Sequence, residues 1–160
     1  MLVYHGSDMV VNEPKILDAN RPLDFGGGFY LTTSKEQAER WAARVSFRNA
    51  TGSQCVNRYE FDLDGAKKAL SVRIFDQADE EWLDFICANR SGVRKNDYDV
   101  VIGPVADDRV YRVVVEYENG DIDKEYAIKQ LRAEQLCDQI SMRSQKALAY
   151  LTYLGTEVKE

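Results

Sequence analysis

The fold prediction starts from the stretch Asp24-Phe25-Gly26-Gly27-Gly28-Phe29-Tyr30-Leu31-Thr32-Thr33-Ser34-Lys35-Glu36-Gln37-Ala38. Its three successive glycines allow backbone conformations and close approaches that a Cβ atom would prevent. The aromatic and β-branched residues from 29 to 33 predict a short strand. Ser34 predicts a helix N-cap, and Gln37 three residues later completes the pattern of a capping box. The stretch therefore predicts a loop, a strand and a capped helix, although a plain glycine-rich connector between core elements remains an alternative.

The helix that follows this cap is predicted to be amphipathic. Ala38, Trp41, Ala42 and Val45 recur at the spacing of one helical face, and the pattern fades before Asn49. The single apolar face predicts that this helix packs against the rest of the protein through that face.

Length and composition describe an ordinary globular chain. The 160 residues predict one domain over 1–160, large enough to bury a core. A net charge of −6 argues against nucleic acid as a partner, because nucleic-acid-binding domains present a basic face. The apolar run at 100–106 is far shorter than the roughly 18 residues of a membrane span. No basic, apolar and small-residue regions follow one another at the N-terminus, so we expect no secretory signal and no membrane partner.

The cysteines and the single histidine predict neither a disulfide framework nor a metal site. Cys55, Cys87 and Cys137 are scattered and odd in number. With one histidine and no C-x-x-C pair, a structural zinc site is not expected. The expected compartment is therefore the reducing cytoplasm.

Hydrophobic patterns along the chain predict an α+β fold, because the strands outnumber simple βαβ crossovers. Strands are predicted at 2–5, 29–33, 56–63, 72–75, 98–102, 135–142 and 152–158, and helices at 34–49, 64–70, 79–90, 107–118, 124–132 and 144–150. Asp64 is the predicted cap of the helix at 64–70. The segment 107–118 is ambiguous because Val113-Val114-Val115 favours a strand; its apolar face and the following Gly120 favour a helix. The expected core residues of two packed sheets are Trp41, Trp82, Phe85, Ile86, Tyr98, Val100 and Ile102.

His5 is the only histidine and stands at the end of the first predicted strand, directly before Gly6. An ordinary half-buried histidine bonded to a backbone carbonyl is one interpretation. Ser7 suggests a serine nucleophile with His5 as its base, but no G-x-S-x-G elbow is present and the two residues are too close in sequence. The residues alone therefore leave the role of His5 open.

Tyr4-His5-Gly6-Ser7, followed further along by Phe25-Gly26-Gly27-Gly28-Phe29-Tyr30, resembles the first two motifs of the ADP-ribosyltransferase fold. The resemblance is to the histidine–tyrosine branch, which includes diphtheria toxin and the poly-ADP-ribose polymerases. Over nearly its full length the chain also resembles an uncharacterised bacterial family of short, toxin-like members. The further blocks are Asn20-Arg21, Ala78-Asp79-Glu80-Glu81-Trp82-Leu83-Asp84-Phe85, Tyr98-Asp99, Ile102-Gly103-Pro104-Val105-Ala106 and Asp138-Gln139.

This resemblance implies an NAD-dependent ADP-ribosyltransferase, a glycosyltransferase of the pentosyltransferase type, with two packed antiparallel or mixed sheets flanked by helices. In such folds the histidine, here His5, bonds the adenosine ribose of NAD, and the backbone of Gly6 holds the nicotinamide carboxamide. Tyr30 would stack on the nicotinamide ring, where an aromatic face suits a cation. Arg21 would contact the diphosphate with its guanidinium fork, although a plain surface arginine is an equal alternative. The implied NAD-binding residues are completed by Ser7, Gly26, Gly27, Gly28 and Phe29.

The third motif departs from the family pattern. Transferases of this class place a glutamate on a late strand, whereas Gln139 takes that position here. A neutral amide accepts a hydrogen bond from a ribose hydroxyl, but it brings no negative charge to a developing cation and is no general base. Losing such an electrostatic contribution costs roughly 10²–10³ in rate. The candidate catalytic residues are thus Gln139, His5 and Tyr30, with Asp138 expected to point to the opposite face.

Three functions follow as hypotheses. The first is transfer of ADP-ribose to an acceptor, expected to be a protein, by the toxin of a bacterial toxin–antitoxin pair with a small partner protein. The second is an NAD-binding module or NAD glycohydrolase, weakened by Gln139. The third, transfer to nucleic acid, fits the acidic composition poorly. Asp79, Glu80 and Asp107 remain further acids for substrate contact, with helix capping as their alternative.

Overall fold

The computed structural model describes residues 1–16, 23–92, 98–105, 108–132 and 137–159, and these form an α+β fold with two sheets. The strands are β1 Leu2–Ser7, β2 Phe29–Leu31, β3 Gln54–Phe61, β4 Val72–Ile74, β5 Val100–Pro104, β6 Asp138–Met142 and β7 Leu151–Lys159. The helices are α1 Lys35–Asn49, α2 Leu63–Ala69, α3 Glu80–Arg90, α4 Asp108–Glu118, α5 Lys124–Arg132 and α6 Gln145–Leu148. The α+β class expected from the sequence is confirmed.

The two sheets differ in their topology. The first has the order β1-β3-β7 and is antiparallel throughout. The second has the order β2-β6-β5-β4 and is mixed, because β4 runs parallel to β5 while the other pairs are antiparallel. One isolated bridge between Tyr4 and Thr32 joins the sheets, with N–O distances of 2.8 and 3.0 Å. This bridge holds β1 beside β2, and therefore places the Tyr-His-Gly-Ser motif of β1 beside the glycine-rich motif that leads into β2.

The alternation of side chains along the second sheet produces two cores. Ile140 and Met142 of β6 are fully buried between the sheets, where they pack with Val3, Tyr59 and Phe61 of the first sheet. The opposite face of the second sheet packs against helices. That second cluster is Phe25, Phe75, Ala78, Trp82, Leu83, Phe85, Ile86, Val101, Val110, Val114, Ala127 and Leu131. The odd-numbered positions of β6, including Gln139, therefore belong to the helix-facing side.

Helix α1 begins at the predicted cap. Ser34 Oγ accepts a hydrogen bond from the backbone N–H of Gln37 at 3.2 Å. The reciprocal half of the predicted capping box is absent, because the Gln37 side chain accepts from Arg40 at 2.5 Å and the Ser34 N–H donates to Thr32 Oγ1 at 3.1 Å. The helix ends at Ala50 in the left-handed conformation with φ of 54°. The cap is therefore correct, and only its second hydrogen bond was mispredicted.

Gly6 lets α1 lie directly on β1. A Cβ atom at Gly6 would stand 2.0 Å from the carbonyl oxygen of Ala38 and 2.7 Å from the amide nitrogen of Ala42. Both neighbours are backbone atoms, so a side chain at this position would displace the helix. The missing side chain thus sets the position of α1 relative to the strand that carries His5.

Local signals predicted most elements well, and the exceptions have simple causes. The short helix α2 is capped by Asp62, whose carboxylate accepts from Gly65 N at 2.9 Å, and not by Asp64. The ambiguous segment at 107–118 forms α4, because Val110 and Val114 are fully buried on one helical face. Among the expected core residues, Trp41, Tyr98 and Ile102 are only half-buried. None of the helices in the described parts of the chain has the length and apolarity to cross a membrane.

Candidate active site

A cleft with a volume of about 1540 Å³ lies where the two sheets meet. Its floor contains His5 and Gly6 of β1, Tyr30 of β2 and Gln139 of β6. One wall is the side of α1, and the facing wall is formed by the end of α3, by α4 and by Leu23 and Asp24. Pockets for drug-sized ligands measure about 300–1000 Å³, so this cleft is large enough for a dinucleotide.

His5 is held by one ring nitrogen and offers the other to the cleft. Its Nδ1 lies 2.7 Å from the carbonyl oxygen of Tyr30, which only accepts, so Nδ1 carries the proton. The ring also contacts Phe29, with centroids 4.2 Å apart. Burial lowers the pKa of the imidazole, against a smaller opposing effect of the Tyr30 carbonyl. His5 is therefore neutral at neutral pH, with Nε2 as a hydrogen-bond acceptor.

Tyr30 is positioned by the glycine-rich loop. Its hydroxyl donates to the carbonyl oxygen of Gly26 at 2.5 Å and accepts from the backbone N–H of Phe25 at 3.1 Å. Gly26 adopts φ of 76°, a conformation that favours glycine. Burial raises the pKa of the hydroxyl above its ordinary value, so it stays protonated. The loop thus fixes the ring of Tyr30 at the cleft through two hydrogen bonds of its hydroxyl.

Gln139 presents an unpartnered amide. Its backbone pairs with Gly103, and Ser141, two residues further on β6, pairs with Tyr30, so Gln139 and Tyr30 project from the same face of the sheet. The side chain of Gln139 is 4% exposed, and its Nε2 has no hydrogen-bond partner among the described residues. A buried donor without a partner costs about 1–3 kcal/mol. Such a group at the floor of a cleft is typical of a residue that binds a ligand.

The wall opposite α1 centres on Arg90. Its guanidinium lies 3.7 Å from Asp24 Oδ1 and 3.2 Å from Glu118 Oε1, and it stacks on the ring of Tyr111 at 4.4 Å. Asp24 and Glu118 are the carboxylates among the described lining residues, and Arg90 engages both. Cys87 lies in this wall as well, and burial raises the pKa of its thiol to about 11, so it is not a thiolate nucleophile at neutral pH.

The remaining predicted site residues lie away from the described cleft lining. Phe29 is buried between the sheets, in contact with Tyr59, because it projects from the face of β2 opposite Tyr30. Ser7 is 8% exposed, and its hydroxyl accepts from Met9 N at 3.4 Å. Gly26, Gly27 and Gly28 are not among the lining residues, and Gly26 supports Tyr30 by accepting from its hydroxyl. Arg21 and Asp107 lie outside the residues that the structure describes.

The other acids have structural partners. Asp138 accepts from Thr33 N at 2.9 Å and from Thr33 Oγ1 at 2.8 Å, which ties β6 to the start of α1. Asp79 caps α3 by accepting from Trp82 N at 3.0 Å, and Glu80 pairs with Lys124 at 3.1 Å. Over the described ranges, no three His, Cys, Asp or Glu side chains are grouped to hold a metal ion.

Sequence reasoning missed the α1 wall of the cleft. Trp41, Arg44, Val45 and Arg48 share one helical face and line the cleft, whereas Ala38 and Ala42 face β1. The apolar pattern did not distinguish a core-facing position from a cleft-facing one, because both carry apolar residues. The available signal was the pair of arginines spaced four residues apart beside Trp41.

Comparison with known proteins identified one family. The family described as "Protein of unknown function (DUF3990)" matches residues 1–153. The searches of curated proteins and of solved structures found no match. The match spans β1, the glycine-rich loop, β6 and both walls of the cleft. The chain therefore belongs to the DUF3990 family.

Proposed function

We propose that this protein is an NAD-dependent ADP-ribosyltransferase that cleaves the nicotinamide–ribose bond and transfers ADP-ribose to an acceptor. One observation carries the proposal. His5 and Gly6, Tyr30 and Gln139 come from three separate parts of the sequence and line the floor of one cleft, where the buried Nε2 of Gln139 has no partner among the described residues. The two sheets that meet at this cleft are also what an ADP-ribosyltransferase-like fold requires.

His5 and Gly6 are proposed to recognise NAD from the end of β1. The neutral imidazole offers Nε2 as an acceptor for a ribose hydroxyl, while the Tyr30 carbonyl holds the ring in one orientation. Gly6 borders the same space with no side chain of its own, so the carboxamide of nicotinamide can approach its backbone. The absence of a side chain at Gly6 is also explained by its contact with α1, and this contact is compatible with backbone recognition.

Tyr30 is proposed to provide an aromatic surface for the cationic nicotinamide ring. Because its hydroxyl is bound to Gly26 and Phe25, the ring keeps its orientation before substrate binds. A surface that is positioned in advance loses little side-chain entropy on binding.

Gln139 is proposed to orient the hydroxyls of the nicotinamide ribose. Its amide would gain the partner that the described residues do not provide, and this interaction would strengthen binding. A neutral amide does not offer the charge that stabilises a developing oxocarbenium ion, so the remaining stabilisation must come from positioning.

An NAD glycohydrolase or a weakly active NAD-binding module is the second candidate. Asp24 and Glu118, the described carboxylates of the cleft, are both paired with Arg90. Neither is therefore free to replace the negative charge that Gln139 lacks or to activate an acceptor. This observation favours slow hydrolysis over fast transfer.

The proposed acceptor is a protein, and the proposed setting is the cytoplasm of a bacterium, where the chain would act as a toxin with a small antitoxin partner. The acceptor and the toxin role are proposed from the sequence resemblance, and the cytoplasm from the three scattered cysteines. Transfer to nucleic acid is less favoured because the chain carries a net charge of −6.

Release of nicotinamide from labelled NAD is the decisive experiment. We expect release by the parent protein, and we expect His5→Ala to weaken NAD binding by about 1 kcal/mol or more, since it strands a buried partner. Lys68→Ala, at an exposed position of α2, is the matched control and should behave as the parent. The proposal is contradicted if the folded parent shows no NAD binding by calorimetry and releases no nicotinamide.

Two substitutions at Gln139 distinguish the two candidates. For a transferase adapted to glutamine, Gln139→Ala should lower kcat more than NAD affinity, because the contact matters most in the transition state. For a weakened binder, Gln139→Glu should raise NAD hydrolysis above the parent, because the restored charge faces the oxocarbenium-like transition state. If neither variant changes binding or turnover, Gln139 is a structural strand residue.

A further inference from the structure

The α1 wall of the cleft carries positive charge in a protein that is acidic as a whole. Arg44 and Arg48 are exposed, lie four residues apart, and both line the cleft beside Trp41 and Val45. Residues at this spacing lie above one another on a helix, about 6 Å apart at their Cβ atoms. The two guanidinium groups can therefore reach neighbouring oxygens of one anion.

The facing wall has the opposite balance. Arg90 is held between Asp24 and Glu118, so these three groups together carry a net charge of −1. On the other side of the same cleft, α1 contributes the guanidinium groups of Arg44 and Arg48. A ligand with one anionic and one cationic part would be oriented by this difference, with its anionic part against α1.

Arg48 differs from Arg40, which is also exposed on α1. Arg40 forms an ion pair with Glu36 at 2.8 Å and donates to Gln37 at 2.5 Å. Arg48 forms no ion pair with any of the described residues. Its guanidinium donors are thus available to a ligand, and a planar fork suits phosphate oxygens.

The arginines are also held at a defined position relative to the cleft floor. The close contact of Gly6 with Ala38 and Ala42 seats α1 directly on β1. Independently, the Nε2 of Gln139 on the floor has no partner among the described residues and is available to a ligand. An anion beside α1 and a hydroxyl or other acceptor at Gln139 would then belong to one extended molecule.

We infer that Arg44 and Arg48 form the subsite for the diphosphate of a dinucleotide bound in this cleft. The inference rests on the proposed function for the identity of the dinucleotide, but the subsite itself requires only a diphosphate. It assigns to α1 the contact that sequence analysis expected of Arg21. The adenosine and nicotinamide halves would extend from this point toward the floor residues.

Inorganic pyrophosphate is the probe for this subsite, measured by calorimetry at low salt on the full chain. We expect the double variant Arg44→Gln/Arg48→Gln to bind pyrophosphate with an affinity at least about tenfold lower than that of the parent, because it loses two charge-assisted contacts. The control is Lys35→Gln/Arg40→Gln, which removes the same charge from the same helix but outside the cleft lining. Glutamine keeps high helix propensity, and all four positions are accessible, so both variants should fold.

The outcomes separate this inference from the proposed function. Selective loss of pyrophosphate binding in Arg44→Gln/Arg48→Gln supports the subsite, even if the parent releases no nicotinamide from NAD. No binding of pyrophosphate by the parent overturns the subsite. Equal affinity in the two double variants overturns it too, even if the parent turns over NAD. With an active parent, the subsite also requires that Arg44→Gln/Arg48→Gln raise the KM for NAD.

Discussion

Two buried amides, Asn57 in the first sheet and Gln139 in the second, show how the fold treats a structural residue and a candidate functional one. Asn57 is fully buried, its Nδ2 donates to the carbonyls of His5 and Met9 at 3.4 and 3.2 Å, and its Oδ1 accepts from Val11 N and Thr156 Oγ1 at 2.8 and 2.6 Å. Gln139 is 4% exposed, and its Nε2 has no partner among the described residues.

The difference lies in what surrounds each amide. Asn57 belongs to the central strand β3, and the segment after β1 closes over it and donates from Val11. Gln139 faces the cleft, which is lined by residues of α1 and α3, and no described group meets its Nε2. A fold that satisfies one buried amide with four hydrogen bonds and leaves another with an unpartnered nitrogen uses the first for stability. The second is the one available to a ligand.

Apolar replacements of similar shape test this comparison most strongly. Asn57→Leu should lower the free energy of unfolding by about 3 kcal/mol or more, because it strands several buried partners. Gln139→Met should leave stability unchanged or raise it by up to about 1 kcal/mol, because it removes an unsatisfied group. Urea denaturation followed by circular dichroism measures both. If Gln139→Met destabilises the protein as much as Asn57→Leu, the amide of Gln139 has a structural role.

Two glycines provide the next test, since one serves the fold and the other only the loop beside the site. Gly6→Ala should lower the free energy of unfolding by about 2 kcal/mol or more, because its methyl group would overlap the backbone of Ala38. Gly27→Ala should have little effect, because no described atom beyond its two chain neighbours lies within 4 Å of the added Cβ. Thermal denaturation of the two variants against the parent measures the difference. A stable Gly6→Ala protein would show that α1 is not seated as described.

His5 lies between a fully bonded and an unpartnered buried group, because one nitrogen is bonded to Tyr30 and the other is open to the cleft. The change in stability caused by its protonation should be the smallest of the effects predicted here. Because burial lowers its pKa in the folded state, the unfolded chain takes up a proton first as the pH falls. Above the unfolded pKa of about 6.5, His5 protonation therefore does not lower the free energy of unfolding. Below it, the free energy of unfolding falls by at most about 1.4 kcal/mol per pH unit.

Urea denaturation between pH 7.5 and 5.5 measures this dependence, and His5→Asn is the control. The parent should lose stability over this range while the variant loses less, because no other histidine is present to titrate. Identical slopes for the parent and His5→Asn would contradict the lowered pKa of the buried imidazole.

Most of the fold could be predicted because its signals are local. Ser34 and Asp79 cap helices where the sequence indicates, and the apolar face of 107–118 prevails over its β-prone valines. The misplaced cap at Asp64 shows the limit of such signals, since Asp62 carries the same side chain two residues earlier. Where two aspartates could each cap a helix, the end of the preceding strand determines which of them accepts the first backbone hydrogen bond.

The candidate site was predicted in part. His5, Gly6, Tyr30 and Gln139 were expected from a resemblance of motifs, and they do line one cleft. Phe29, adjacent to Tyr30, was expected there as well but projects to the other face of β2. Successive side chains of a strand point in opposite directions, so the side chains of Phe29 and Tyr30 face opposite sides of β2.

The sequence by itself determined the α+β class, the order of elements and the chemistry available on β1, β2 and β6, because propensity, capping and alternation act between near neighbours. Only the tertiary structure decided that α1 turns Trp41, Arg44 and Arg48 toward the cleft. It also decided that Arg90 pairs with Asp24 and Glu118, and that Gln139 Nε2 has no partner among the described residues. These features depend on contacts between segments far apart in the chain. Their geometry is set by the seating of α1 on Gly6 and by the junction of the two sheets at Tyr4 and Thr32.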